Sequence, residues 1–144
     1  MAEPQTPIAI LLPMLLVVAL TFVAFIKMAI ERAAAVKGGQ SPEFYKVYLG
    51  DPEPEKTRAA VRHWDNLFEL PTVFYAACLT AVVLGGVSGW TIAFAWVYAV
   101  GRLVQSLIHM TYNNPNQRAG AFTFSVIGLL ALWVNIGAMI IGEL

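Results

Sequence analysis

A chain of 144 residues that is 58% hydrophobic, 12% charged and of zero formal net charge excludes an ordinary soluble domain, which carries about 25% charge. Nothing in that balance points to nucleic acid as a partner. The apolar residues gather into long blocks, so the expected fold class is an all-α integral membrane protein, a four-transmembrane-helix bundle forming one domain over residues 1–144. The expected spans are 7–30, 57–84, 90–112 and 119–141.

Met1–Thr6 is a short tail carrying Glu3 and Pro4. From Pro7 to Ile26 the sequence is almost unbroken Leu, Val, Ala, Ile and Phe. Roughly 20 such residues, at about 1.5 Å each, cross a bilayer core of about 30 Å. No basic region precedes the run, and it exceeds the apolar core of a signal peptide, so it is expected to be a retained helix. That helix should continue through Arg32 to Lys37 and end at Gly38-Gly39 as a C-cap. In the first connection, Ser41-Pro42-Glu43 predicts a short capped helix. Phe44, Tyr45, Val47 and Tyr48 form an amphipathic patch suited to the headgroup level. Asp51-Pro52 is a second helix-start signal, with Glu53 and Glu55 at the positive end of the dipole. The helix it opens is expected to run about 33 residues, roughly 50 Å, to Leu84, with a kink at Pro71 just past Glu69. Gly85-Gly86-Val87-Ser88-Gly89 is an uncharged turn, and segment 3 runs from Trp90 to Tyr112. The lone cysteine, Cys78, lies mid-way along an apolar segment, cannot close an intrachain disulfide, and reads as a small core residue. Asn113 to Gln117 is a turn cluster, and Arg118 stands at the mouth of segment 4.

Seven of the nine Lys and Arg lie in or beside the first connection, and Arg118 flanks the third. The positive-inside rule then puts both connections in the cytoplasm and both termini outside.

Two polar stripes interrupt the apolar runs. Arg62, Asn66 and Glu69 recur at i, i+4, i+7 on segment 2, and Arg102, Ser106 and His109 repeat that spacing on segment 3. Each ionisable group costs roughly 2.5–3.5 kcal/mol on insertion scales, so both stripes should face a protein interior or a wet cavity. Glu69 and Arg102 lie at similar depth and are natural partners, as a buried ion pair fixing helix register. Arg62 suits a ligand carboxylate or a lipid phosphate. Asn66 suits a peptide-like ligand or an interhelical hydrogen bond, and His109 an anion or the interface. Arg118, beside a helix N-terminus, suits an anion or thiolate, or serves as a positive-inside anchor. No Cys, His and carboxylate set has metal-ligand spacing, so no metal is expected.

Four spans, a long basic first connection, Arg62-x-x-x-Asn66-x-x-Glu69-x-Pro71, and Arg102 with Arg118 after it resemble the MAPEG family, membrane-associated proteins in eicosanoid and glutathione metabolism. The resemblance covers nearly the whole chain. It implies a homotrimer with glutathione as co-substrate, bound between protomers near the cytoplasmic side. It also implies that Arg118 stabilises the thiolate, that Asn66 and Glu69 contact the peptide, and that Arg62 and Arg102, with His109 beside them, belong to the binding site. The implied function is a glutathione-dependent transferase or peroxidase acting on lipophilic electrophiles or hydroperoxides. The alternative is a non-enzymatic scaffold, accessory subunit or lipid-binding member of the same fold. The implied partners are further copies of the chain, membrane lipids and lipophilic small molecules. The compact loops resemble a bacterial branch, implying the inner membrane with both termini periplasmic. The chain departs from the family pattern at His109, where members often have tyrosine, at Gln105 (histidine), at Asp65 (a basic residue) and at Ala119 (serine in some). Asp65 repels a ligand carboxylate, so these departures imply a retuned site.

Overall fold

The computed structural model describes residues 8–142. The expectations for Met1–Thr6 and for both termini lie outside them. Among the described residues there are six helices and no strand: α1 (Ile8–Lys37), α2 (Phe44–Val47), α3 (Glu55–Asn66), α4 (Leu70–Val83), α5 (Gly89–Met110) and α6 (Pro115–Gly142). Four stretches are long and apolar enough to cross a membrane: α1, α3 with α4, α5, and α6. The protein is therefore an integral membrane helical bundle.

Ile10, Pro13, Val17, Leu20, Ala24 and Met28 recur every three or four residues along α1 and are its buried face, the spacing of a seam between nearly parallel helices. Its other faces expose Leu12, Leu15, Phe22 and Ile26, as contact with lipid tails requires. The helix ends as the sequence predicts. Gly39 takes φ +104°, Gln40 N–H bonds to the Ala35 carbonyl at 3.0 Å, and Gly39 N–H bonds to Val36 at 3.1 Å. These are the paired bonds of a Schellman cap. The first connection then folds back on α1. Arg32 lies 3.7 Å from the buried Glu53 carboxylate, donates to the Tyr48 hydroxyl at 3.0 Å, and sits 5.2 Å from the centre of the Tyr45 ring.

Segment 2 differs from expectation in two places. Its helix begins at Glu55, with Pro54 ahead of it, and not at Asp51-Pro52. The reason is Pro54, whose ring pushes the preceding Glu53 out of the helical region. The segment also does not run on to Leu84 with a kink at Pro71. It breaks at Leu67, Phe68 and Glu69, so that Pro71 falls in the first turn of α4, where its missing N–H costs nothing. Cys78 is buried in the core beside Phe74, Ala77 and Ala81.

α5 opens with a Ser88–Thr91 capping box, worth about 1 kcal/mol. α6 starts earlier than predicted, at Pro115, because the Asn114 side chain accepts from the N–H groups of Asn116 and Gln117 at 3.0 and 3.2 Å. Arg118 thus belongs to the first turn of α6 rather than preceding it. α5 and α6 pack with almost no space between backbones. A Cβ built on Gly101 falls 2.8 Å from Ser125 Cβ and 2.9 Å from its Cα and N, and one on Gly128 falls 2.8 Å from the Tyr98 N. Small residues allow this approach, which is how helices associate where the hydrophobic effect is absent.

Because Gly101 meets backbone and not the end of a flexible side chain, Gly101→Ala is expected to lower stability by about 1–3 kcal/mol. A Cβ at Gly137 meets nothing within 4 Å, so Gly137→Ala should be neutral or slightly stabilising. Thermal unfolding of both variants in detergent checks the contrast.

Candidate functional site

The break in segment 2 creates the site. In an unbroken helix the Asn66 carbonyl bonds to the N–H four residues on. Here that carbonyl is released, and Arg102 takes it. Arg102 is 1% exposed, so its charge is held entirely by protein. Its Nη2 donates to the Asn66 carbonyl and to Asn66 Oδ1, both at 2.9 Å. Its Nη1 donates to Gln105 Oε1 at 2.6 Å, and its guanidinium lies 5.7 Å from the centre of the Phe122 ring. Asn66 Oδ1 also accepts from Gln105 Nε2 at 3.2 Å, while Asn66 Nδ2 donates to Glu69 Oε2 at 3.0 Å.

The expected direct pair of Glu69 with Arg102 is not formed. Among the described residues the ion pairs are Lys27–Glu31, Arg32–Glu53 and Lys46–Glu43. Asn66 stands between the two charges and joins them through its amide, because the break turns both its oxygens toward α5.

Over this network lies a cavity of about 260 Å³ lined by Arg62, Asp65, Asn66, Glu69, Gln105, His109 and Arg118. It brings together five of the six residues singled out from the sequence. The sixth, Arg102, is buried behind them, holding Asn66 and Gln105. Ser106 is buried but does not line the cavity. The Arg118 Nη1 donates to Asn113 Oδ1 at 2.6 Å and lies 3.2 Å from His109 Nε2, while its buried Nε has no partner among the described residues. Asn113 reaches it from a left-handed conformation, φ 52°, which asparagine tolerates. Among the described residues neither Arg62 nor Arg118 has a carboxylate within 4 Å, although Asp65 and Glu69 line the same cavity. In a partly desolvated cleft such charges act over several ångströms.

His63 was not among the residues singled out. It is 2% exposed, and among the described residues neither ring nitrogen has a hydrogen-bond partner. Its ring centre lies 4.6 Å from that of His109. The signal was its position on the packed stripe of α3 with Thr57 and Ala60, where a polar side chain is otherwise out of place. Among the described residues no three His, Cys, Asp or Glu side chains gather as a metal-ligand set.

The MAPEG family model matches residues 10–138 of the chain. No curated protein and no solved structure matches it.

Asn66 satisfies a buried cation and a carboxylate at once, so Asn66→Ala is expected to cost about 1–3 kcal/mol. Combined with Gln105→Ala it should be non-additive, since both amides serve Arg102. Denaturant unfolding in detergent of the two single variants and the double variant measures that coupling.

Proposed function

The chain belongs to the MAPEG family, and from that membership we propose that it is a glutathione-dependent membrane transferase or peroxidase acting on lipophilic electrophiles or hydroperoxides. The family includes such enzymes and also non-enzymatic members. The observation that favours the enzyme is the cavity with two arginines, Arg62 and Arg118, neither of which, among the described residues, has a carboxylate within 4 Å. A positive-inside anchor would sit in headgroups or water. Arg118 instead lines a cleft with a second arginine, two amides, two carboxylates and an imidazole.

The residues fit the chemistry of the thiol peptide. Glutathione carries two carboxylates, one ammonium, two amides and a thiol. Arg62 suits a carboxylate, which a guanidinium binds bidentately. Glu69 suits the ammonium, and the Asn66 and Gln105 amides suit the peptide groups. Asp65 repels a carboxylate on its own side and so favours one orientation of the peptide. Arg118 faces the thiol and stabilises its thiolate, the nucleophilic form. With an electrophilic carbon, sulfur forms the new bond and the leaving group departs. With a hydroperoxide, the thiolate takes the terminal OH as the O–O bond breaks, and the departing alkoxide takes a proton from water to leave as the alcohol. A second glutathione then reduces the sulfenic acid, giving a disulfide and water.

The volume of about 260 Å³ falls below the roughly 300–1,000 Å³ of complete ligand pockets. We take this cavity as one wall of the site, completed by a neighbouring copy in a homotrimer. The lipophilic substrate would arrive from the bilayer.

Glutathione titrated into the detergent-solubilised protein is expected to give a saturable thiolate ultraviolet signal. Arg118→Ala should abolish it and lower turnover of a model electrophile or hydroperoxide at least about 10²-fold, while Arg118→Lys retains part of both. No binding at millimolar glutathione, with the protein folded, sinks this reading in favour of a lipid-binding or scaffolding member.

A further inference from the structure

Asp65 lines the arginine cavity, yet its carboxylate is not tied to the network beneath. Other polar groups there are held in place. Glu69 accepts from Asn66 Nδ2 at 3.0 Å, Gln105 Nε2 donates to Asn66 Oδ1 at 3.2 Å, and Arg118 donates to Asn113. Among the described residues no cation lies within 4 Å of Asp65, and its side chain is exposed. It follows Arg62 by three positions on α3, a spacing that puts the two side chains on one face, with Cβ atoms about 5–6 Å apart. A carboxylate that adds no bond to the fold acts on what enters the cavity.

A count of charges shows what that action is. The cavity carries two cations, Arg62 and Arg118, and two anions, Asp65 and Glu69. Glutathione with its thiol ionised brings two carboxylates, one thiolate and one ammonium. Arg118 is taken up by the thiolate, Arg62 by one carboxylate and Glu69 by the ammonium. The second carboxylate then has no cation on this wall, and Asp65 has no donor. At the γ-glutamyl end, carboxylate and ammonium share one carbon, so that end brings no net charge to Arg62 and Glu69. The glycine carboxylate has no such companion. A space of about 260 Å³ keeps it closer to Asp65 than the Debye length of roughly 8 Å, so salt does not screen the repulsion. Ionised carboxylates only accept hydrogen bonds, so neither offers the other a proton. A primary amide in place of the glycine carboxylate removes the charge and presents two N–H donors.

We propose that Asp65 determines specificity, making this site prefer a thiol peptide with a C-terminal amide over glutathione, the free acid. This rests on the thiol-peptide reading above and narrows its co-substrate. The preference has two parts. Asp65 repels the acid, and it accepts a charge-assisted hydrogen bond from the amide. The reacting sulfur is the same in both peptides, so Arg118 keeps its role with either.

The test is titration of the detergent-solubilised protein with glutathione and with its glycine amide, each followed by the thiolate ultraviolet signal. Wild type is expected to bind the amide roughly 10-fold or more tightly than the acid, the scale of one charge contact in a partly desolvated site. Asp65→Asn should tighten glutathione and remove most of the preference. Asp65→Lys should reverse it in favour of glutathione. Comparing the ratio of the two affinities between proteins cancels any difference in thiol acidity between the peptides. Both variants should unfold at the wild-type temperature, since the side chain is exposed and untied. Equal binding of the two peptides in wild type, or a preference that survives Asp65→Asn, overturns the assignment and leaves the glutathione site standing. Weaker binding of both peptides by Asp65→Asn also overturns it, placing Asp65 on the ammonium beside Glu69. Absence of a thiolate signal with either peptide in wild type overturns the thiol-peptide reading, and this inference with it.

Discussion

The structure depends on one buried cation. Arg102 lies in a membrane-spanning helix, 1% exposed, and among the described residues no carboxylate lies within 4 Å of it. Such a charge persists only if several acceptors surround it. The chain supplies them by breaking the helix opposite. The break releases the Asn66 carbonyl, and Arg102 takes that oxygen and the side-chain oxygen of the same residue, with Gln105 completing the set. The broken helix and the buried arginine are thus one device, each removing the cost of the other. The same bonds fix which way Asn66 points, and its remaining N–H group then orients Glu69.

The second half of the site comes from the packing of α5 on α6. Gly101, next to Arg102 in the chain, has the Ser125 backbone against it, and Gly128 has the Tyr98 backbone. That approach brings the first turn of α6 over the end of α5, where Arg118 reaches both His109 and Asn113. The left-handed Asn113 and the Asn114 cap start α6 at that point. Arg62 and Arg118 then lie on one cleft with Asp65 and Glu69, and among the described residues neither cation is closely paired with a carboxylate, so both charges can reorganise around a ligand that carries both signs. Arg102 does not add to this binding surface, because it is buried behind Asn66 and Gln105, which its Nη1 and Nη2 hold.

The spacing of the polar residues carried much of the site. Arg62, Asn66 and Glu69 share one helical face in the sequence and one cavity in the structure, even though the helix breaks between Asn66 and Glu69. On α5 the same spacing is less faithful. His109 reaches the cavity, Arg102 lies behind it, and Ser106 is buried off the lining, while Gln105 is on it. How α5 packs against α3 selects among neighbours on a face, and sequence spacing does not contain that packing. The pairing of Glu69 with Arg102 was inferred from equal depth. Depth ignores an amide that stands between two charges, and so the pair became a relay through Asn66.

What could be read from residue order alone is what depends on near neighbours in the chain. The four apolar runs, the Gly38-Gly39 stop and a break at Asn113-Asn114 are local chemistry, decided by side chains a few positions apart, although the turn expected to reach Gln117 is cut short by the start of α6 at Pro115. Family membership was legible for a similar reason, since its marks are residues at fixed separations along helices. Folding in three dimensions settled the rest. It placed His63 against His109 and gave a released carbonyl to a buried arginine. Those outcomes turn on helix crossing angles and on a break a few residues long. Both are balances among contacts from distant parts of the chain, and no short window of sequence holds all the partners.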